Sequence, residues 1–339
     1  MKKLSKILGL TAALAFVGCG NQEPAAGPKG AATEPGTPAA DKVPEVESRG
    51  TIGVSLLTLD NPFFKVIGDN ITAEGKKHGY ETLIVSADKD VAKQSNQVKD
   101  FIVQKVVAIV LSPAESSGIV PVIQEANAAG IPVFTVDIPC NSDKVKIVTQ
   151  ISTDNYGGGK EAGQAMVEAL GEAGGKVAVL HFPQAESCIL RVKGFMEVIV
   201  AHNTAAAGKG IIQVVAMLES GAAKDIGKKA TEDVMQKHPD LRGIFAINDP
   251  AALGACAALE TANKADQVII VGFDGQPEGK QAIKDGKIYA DPIQFPDLMG
   301  IKVVESLIAH SKGEELPAQT LIPTKLYKKE DAMNDPELK

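Results

Sequence analysis

TIGVSLLTLDNPFF, residues 51–64, joins an apolar run to a polar turn and then to two phenylalanines. The run from Ile52 to Leu57 has the length and composition of a strand buried on both faces. Asn61-Pro62 is a helix-start signal, because proline suits a first helical turn that needs no backbone donor. Residues 63–78 continue with helical periodicity, so a buried strand passes directly into a helix. The chain of 339 residues has no tryptophan, four tyrosines and ten phenylalanines. Two adjacent phenylalanines at the mouth of a strand-to-helix turn therefore suggest a task beyond filling the core.

The alternation continues outward from this stretch. Strand-like runs at 82–86, 106–111 and 132–136 are separated by helical stretches at 91–105 and 116–129, the last stopped by Gly130. The pattern then starts again, with Asp154-Asn155 capping a helix that passes through three glycines to about Gly171. Strands at 176–181, 211–215, 243–247 and 268–273 follow, with helices at 186–201, 222–237, 249–262 and 277–285. Residues 289–325, including a helix at 297–311, read as a return crossing. A repeated βαβα order predicts an α/β fold of two doubly wound parallel-sheet lobes, with an eight-fold barrel as the competing layout. The expected lobes are 50–152 plus 295–322 and 153–294 plus 323–332, hinged near 152–155, 294–296 and 322–326.

The N-terminal region has a different character. Lys2, Lys3 and Lys6 precede an apolar stretch at 7–17, which is the layout of an export signal. The approach to Cys19 resembles the lipobox of bacterial lipoproteins, although Phe16 stands where leucine is usual. Residues 20–49 are rich in Ala, Pro and Gly without periodicity, and read as a disordered tether reaching roughly 30 Å. The resemblance implies lipidation at Cys19 and a location in the periplasm or at the cell surface, anchored to a bacterial membrane.

Charge and residue usage exclude several function classes. A net charge of -7 argues against nucleic acid as a partner. Histidines without ligand spacing give no reason to expect a metal, and the glycines at 157–159 lack P-loop spacing, so no cofactor is expected. Cys140, Cys188 and Cys256 form no CxxC pair. Cys140 lies three residues after Asp137 and Cys188 three before Arg191, so both are expected to border a cleft and to remain reduced.

In open α/β sheets, ligands bind beyond the carboxyl ends of the strands. Those ends carry Asn61, Phe63 and Phe64, then Ser112, then Asp137 and Ile138 in the first half. In the second half they carry Arg191, Asn248, Asp274 and Gln294. Amides, carboxylates and a guanidinium match the dense hydroxyls of a sugar, and phenylalanine suits its C–H face.

The chain resembles the ribose-binding family of periplasmic sugar receptors over about residues 51–327. The motifs are 58–64, Asp154-Asn155 with Gly158-Gly159-Lys160, Asn248-Asp249 with 252–255, and Val271-Gly-Phe-Asp-Gly275. The resemblance implies a type I periplasmic-binding-protein fold, first-lobe contacts from Asn61, Phe63, Phe64 and Asp137, and second-lobe or hinge contacts from Arg191, Asn248, Asp274 and Gln294. It further implies a monomer that closes on a sugar or polyol and delivers it to an ABC-transporter permease. Three departures point away from ribose itself: Ser112 for a usual Asn, Ile138 for a usual Arg, and Ala222 near the place of a second-lobe aromatic. The alternatives are a receptor feeding a sensory or chemotaxis partner and, more remotely, a glycoside-processing enzyme using Asp137 and Asp274.

Overall fold

The computed structural model describes residues 47–338. The expected signal segment, Cys19 and the tether up to residue 46 lie outside the described residues.

The first half of the body runs β1 (Gly50–Leu56), α1 (Pro62–Lys77), β2 (Tyr80–Ser86), α2 (Val91–Val103), β3 (Ala108–Leu111), α3 (Val120–Ala128), β4 (Val133–Val136) and β5 (Gln150–Thr153). The second runs α4 (Asn155–Leu170), β6 (Gly175–His181), α5 (Glu186–Ala205), β7 (Ile212–Glu219), α6 (Lys224–Lys237), β8 (Leu241–Ala246), α7 (Asp249–Thr261), β9 (Ile269–Val271), α8 (Pro277–Lys284) and β10 (Ala290–Ile293). The chain then crosses back through α9 (Pro296–Ser311) and β11 (Gln319–Ile322). It ends on the second half with β12 (Lys325–Lys328) and α10 (Lys329–Asn334).

These strands form two six-stranded sheets, ordered β11-β5-β4-β3-β1-β2 and β12-β10-β9-β8-β6-β7. Both follow the same winding, with the first strand of each half placed between the second and third. Pairing is parallel except for β12, which runs antiparallel to β10. The two-lobed α/β expectation is met, and two open sheets replace the alternative of a closed barrel.

The interior strands β3 and β4 are wholly buried, as expected of a sheet covered on both faces. Helix α1 buries Phe63, Phe64, Ile67, Gly68, Ile71 and Gly75, a stripe with helical spacing. Asn61 caps this helix by accepting from the Phe63 amide, and Asn248 caps α7 in the same way through Ala251. Each is followed by a proline in the first helical turn. Each lobe thus places an asparagine at a strand-to-helix turn, after the first strand of one half and the third of the other.

Three segments connect the sheets: β5 to α4, β10 to α9, and β11 to β12. The first and third are joined by Asp154 N donating to Ile322 O at 2.8 Å. Side chains join the first and second, with Thr153 Oγ1 donating to Gln294 Oε1 at 2.6 Å.

The short strands β5, β11 and β12 are additions to the sequence reading. Each has only four residues, too few to establish an alternating pattern.

Helices α4 and α5 approach closely through the glycines near the start of α4. A Cβ at Gly159 would stand 2.2 Å from Arg191 O, and one at Gly194 would stand 2.2 Å from Tyr156 O. At Gly158 the obstruction would be Phe273, at 2.7 Å. The glycine run is therefore a packing device that seats Arg191 and Phe273. Gly159→Ala and Gly194→Ala are each expected to cost about 1–3 kcal/mol by overpacking, measurable as lower urea midpoints at an unchanged denaturant slope.

Candidate ligand-binding site

Between the carboxyl ends of the two sheets lies a small cleft of about 40 Å³. Asn61, Phe63, Phe64, Asp137 and Ile138 line it from the first lobe, and Arg191, Asn248 and Asp274 from the second, with Gln294 at the crossing. Thr58, Lys89, Phe182, Cys188 and Ala222 complete much of its wall.

Arg191 is the most constrained group in the site. Its Nε donates to Asn155 Oδ1 at 2.8 Å, while Nη1 donates to Ile247 O at 2.7 Å and to Asp274 Oδ1 at 2.9 Å. The guanidinium carbon lies 3.9 Å from the centroid of the Phe273 ring. Asp274 is also tied to Gln294, whose Nε2 donates to Oδ1 at 2.6 Å, and to Gln276, whose Nε2 donates to Oδ2 at 3.2 Å. Its backbone φ of 110° lies in a region that side chains rarely adopt. Burial pushes the Asp274 carboxyl above its ordinary range, opposed chiefly by the Arg191 charge.

Asp137 has the opposite surroundings. It follows β4 with φ 64°, and Ile138 N donates back to Val136 O at 2.8 Å, making a tight three-residue turn. The residue is only 4% exposed, and Oδ1 has no hydrogen-bond partner among the described residues. Burial pushes its pKa to about 7, with Arg191 pulling downward and Asp274 pushing upward. The first lobe therefore offers a desolvated carboxyl with open capacity, while the second offers a network already paired.

Behind the cleft, Asp249 and Asp291 are both buried, and Asp249 Oδ1 and both Asp291 carboxylate oxygens have no hydrogen-bond partner among the described residues. Burial holds the pair high, and the negative charge of Asp291 raises Asp249 further. Asp249 Oδ2 accepts from Gln276 N at 2.6 Å.

Among known families, the periplasmic binding protein domain matches residues 52–315. The ribose import binding protein of Bacillus subtilis is 36% identical over 277 residues, covering 81% of this chain and 86% of that one. The D-apiose import binding protein of Paraburkholderia graminis is 34% identical over 275 residues, covering 80% and 85%. An ABC transporter solute binding protein of Agrobacterium vitis, solved with bound D-fucose, superposes with a TM-score of 0.77 at 30% identity, covering 85% of this chain and 98% of that one. The chain belongs to the periplasmic binding protein family.

In this binding protein, nine of the ten residues read as ligand contacts reach the cleft wall. Ser112 does not. Its backbone continues the β3 direction, with N donating to Ser55 O at 2.9 Å and O accepting from Gln94 at 3.0 Å. That pairing turns the residue toward α2 and into the protein interior. Cys188 lines the cleft, where burial pushes its thiol up to about 11. Cys140 does not border it: the residue packs among Val98, Phe101 and Ile123 on the other face of the first sheet. All three cysteines among the described residues are buried and free.

Asn61 and Asn248 are also more committed than their sequence positions suggest. Each spends its Oδ1 on a helix cap, and Asn248 Nδ2 donates weakly to Ala222 O at 3.4 Å. The Asn61 Nδ2 makes no hydrogen bond among the described residues.

The aromatic expectation needs a larger correction. Ala222 does line the cleft, but Phe182, directly after β6, supplies a second-lobe aromatic. Phe63 and Phe64 pack edge to face, 5.3 Å apart at 84°, and both belong to the core as well as to the cleft wall. The signal for Phe182 was its position immediately after a strand. Lys89 carried the same signal after β2.

The raised pKa of Asp137 has a definite consequence for stability. Below pH 4 both folded and unfolded forms are protonated, and the contribution is fully present. As pH rises toward 7 the unfolded chain releases the proton while the folded chain retains it, so stability falls until about pH 7. Comparing pH-dependent melting of ligand-free wild type and Asp137→Asn should show a smaller loss between pH 4 and 7 in the variant.

Proposed function

We propose that this protein captures a sugar or polyol in the interlobe cleft and delivers it to the membrane permease of an ABC importer. The observation that carries this reading is Asp137, a buried carboxyl with an unfilled acceptor position beside phenylalanine rings and opposite Arg191. A sugar hydroxyl fills that position by donating to the carboxylate, and the ring's C–H face lies against Phe63, Phe64 or Phe182. The relatives are import binding proteins for ribose and D-apiose, in keeping with a small polyhydroxylated ligand.

Ile138 bears on which sugar is preferred. An apolar side chain beside Asp137 donates no hydrogen bonds, so the ligand presents fewer hydroxyls, or a less polar edge, at that point. Another pentose, a hexose or a polyol therefore fits better than ribose. The lobes, 50–152 plus 295–322 and 153–294 plus 323–332, move about the three crossings, and ligand favours closure because only the closed form offers both half-sites.

The protein acts as a monomer, held at a bacterial membrane through a lipid on Cys19. It is a binder and not a glycosidase, because Asp274 is bound to Arg191 and Gln294 instead of being free to exchange a proton with a substrate. Incubation with a panel of aryl glycosides is expected to release no reducing sugar.

A thermal-shift panel of pentoses, hexoses, polyols and nucleosides tests the ligand assignment. The best sugar at 100 times its Kd should add about 2.7 kcal/mol to the folded state. A panel in which no carbohydrate raises the melting temperature while a nucleoside does would overturn the sugar reading. Titrations should further show affinity rising as pH passes upward through about 7, because the ionised Asp137 is the better acceptor. Asp137→Asn is expected to weaken binding about tenfold or more and to remove that pH dependence.

A further inference from the structure

We infer that Lys89 is a gate residue, whose ammonium bars the passage between the ligand cleft and an outer groove. The inference rests on the cleft being the ligand site, but not on which sugar occupies it.

Lys89 sits in the turn between β2 and α2, at φ 60°. Its Nζ crosses from the first lobe to donate to Gly221 O at 2.7 Å, with Ala222 O at 3.5 Å. The receiving turn, between β7 and α6, also has unusual backbone geometry, with φ of 57° at Gly221 and 49° at Ala222. Two left-handed turns, one from each lobe, thus face each other across the opening. The bond joins residues 132 positions apart in sequence.

On the outer side of this bar lies a groove of about 540 Å³, lined from both lobes by residues that include Pro62, Lys224, Leu253 and Pro277. Thr58, Asn61, Lys89 and Ala222 line both the groove and the inner cleft. These residues therefore form the wall between them. Ligand leaving toward the groove must pass the Lys89 bridge.

The opposite rim is closed differently. There Ser116 N donates to Gln184 O at 3.3 Å, and Ser116 Oγ accepts from Glu186 N at 3.1 Å. The space beside that rim, lined by Ser116, Asn141 and Glu186 among others, shares no lining residue with the ligand cleft. The Lys89 side is thus the thin wall.

Lys89 itself is exposed at the rim, so its ammonium can exchange the Gly221 carbonyl for water when the lobes part. Burial of the amine in the closed form draws its pKa down, opposed chiefly by Asp225 and then Asp60. Those two carboxylates, one from each lobe, work against that effect. A charged donor to a carbonyl favours the closed form, and the flexible stem allows reversal.

Cys188 provides a readout that needs no ligand. Its thiol is buried in the cleft, so a maleimide reaches it only when the lobes open, whereas Cys256 is buried in the second-lobe core. Sugar-free wild type, Lys89→Met and Lys89→Arg would be treated with N-ethylmaleimide, and labelling at each cysteine followed by peptide mass spectrometry. Lys89→Met should label Cys188 about three- to tenfold faster than wild type, the loss of one charged hydrogen bond at an exposed rim. Lys89→Arg should stay near the wild-type rate. Equal rates for wild type and Lys89→Met would overturn the gate. So would an equal acceleration at Cys256, which would mark general unfolding. A sugar panel without binders would leave this result standing, so the two readings fail separately.

Discussion

The buried pairing of Arg191 with Asp274 is the interaction on which the rest of the site depends. The guanidinium simultaneously engages the start of α4 through Asn155, the end of β8 through Ile247, and the end of β9 through Asp274. Asp274 passes the connection to Gln294, and Gln294 passes it to Thr153 on the first sheet. Removing one partner would strand a charge in the interior, typically at a cost of about 3–5 kcal/mol. Close packing of the glycine-rich turn of α4 under Arg191 and Phe273 makes the arrangement possible. One ion pair therefore couples the second-lobe site to two of the three interlobe crossings.

The two halves of the cleft are consequently unequal. In the second lobe, Arg191 and Asp274 are already held by hydrogen bonds to Asn155, Ile247, Gln294 and each other. The first lobe keeps a desolvated carboxyl in a tight turn, and the backbone strain there holds Asp137 toward the cleft. Asp137 Oδ1 keeps an unmet acceptor position facing a wall whose guanidinium is already engaged.

Much of the fold could be read because the interior strands are continuous apolar runs punctuated by strong caps and glycines. The runs at 106–111 and 132–136 became β3 and β4, and Asp154 caps α4 by accepting from Gly157 N. The short strands at the crossings were not legible, since their register is set by neighbouring strands and not by their own pattern. Ser112 and Cys140 show the same limit at the site. Both lie near strand ends, but backbone pairing and packing turn them away from the ligand. Phe182 and Lys89 were readable as strand-end residues, yet neither residue type alone distinguishes a cleft wall from an ordinary core or surface position.

Sequence by itself determined the repeated βαβα order, the asparagine-proline caps and most of the residues that line the cleft. Those features depend on local periodicity, capping chemistry and the rule that side chains after parallel strands meet at one edge. Tertiary structure alone decided which polar atoms are already spent and which remain open. It also brought Lys89 to a carbonyl 132 residues away and set Phe182 in the cleft wall. The physical reason is that hydrogen-bond satisfaction and enclosure belong to pairs of groups, and the chain brings those pairs together only when its two lobes are assembled.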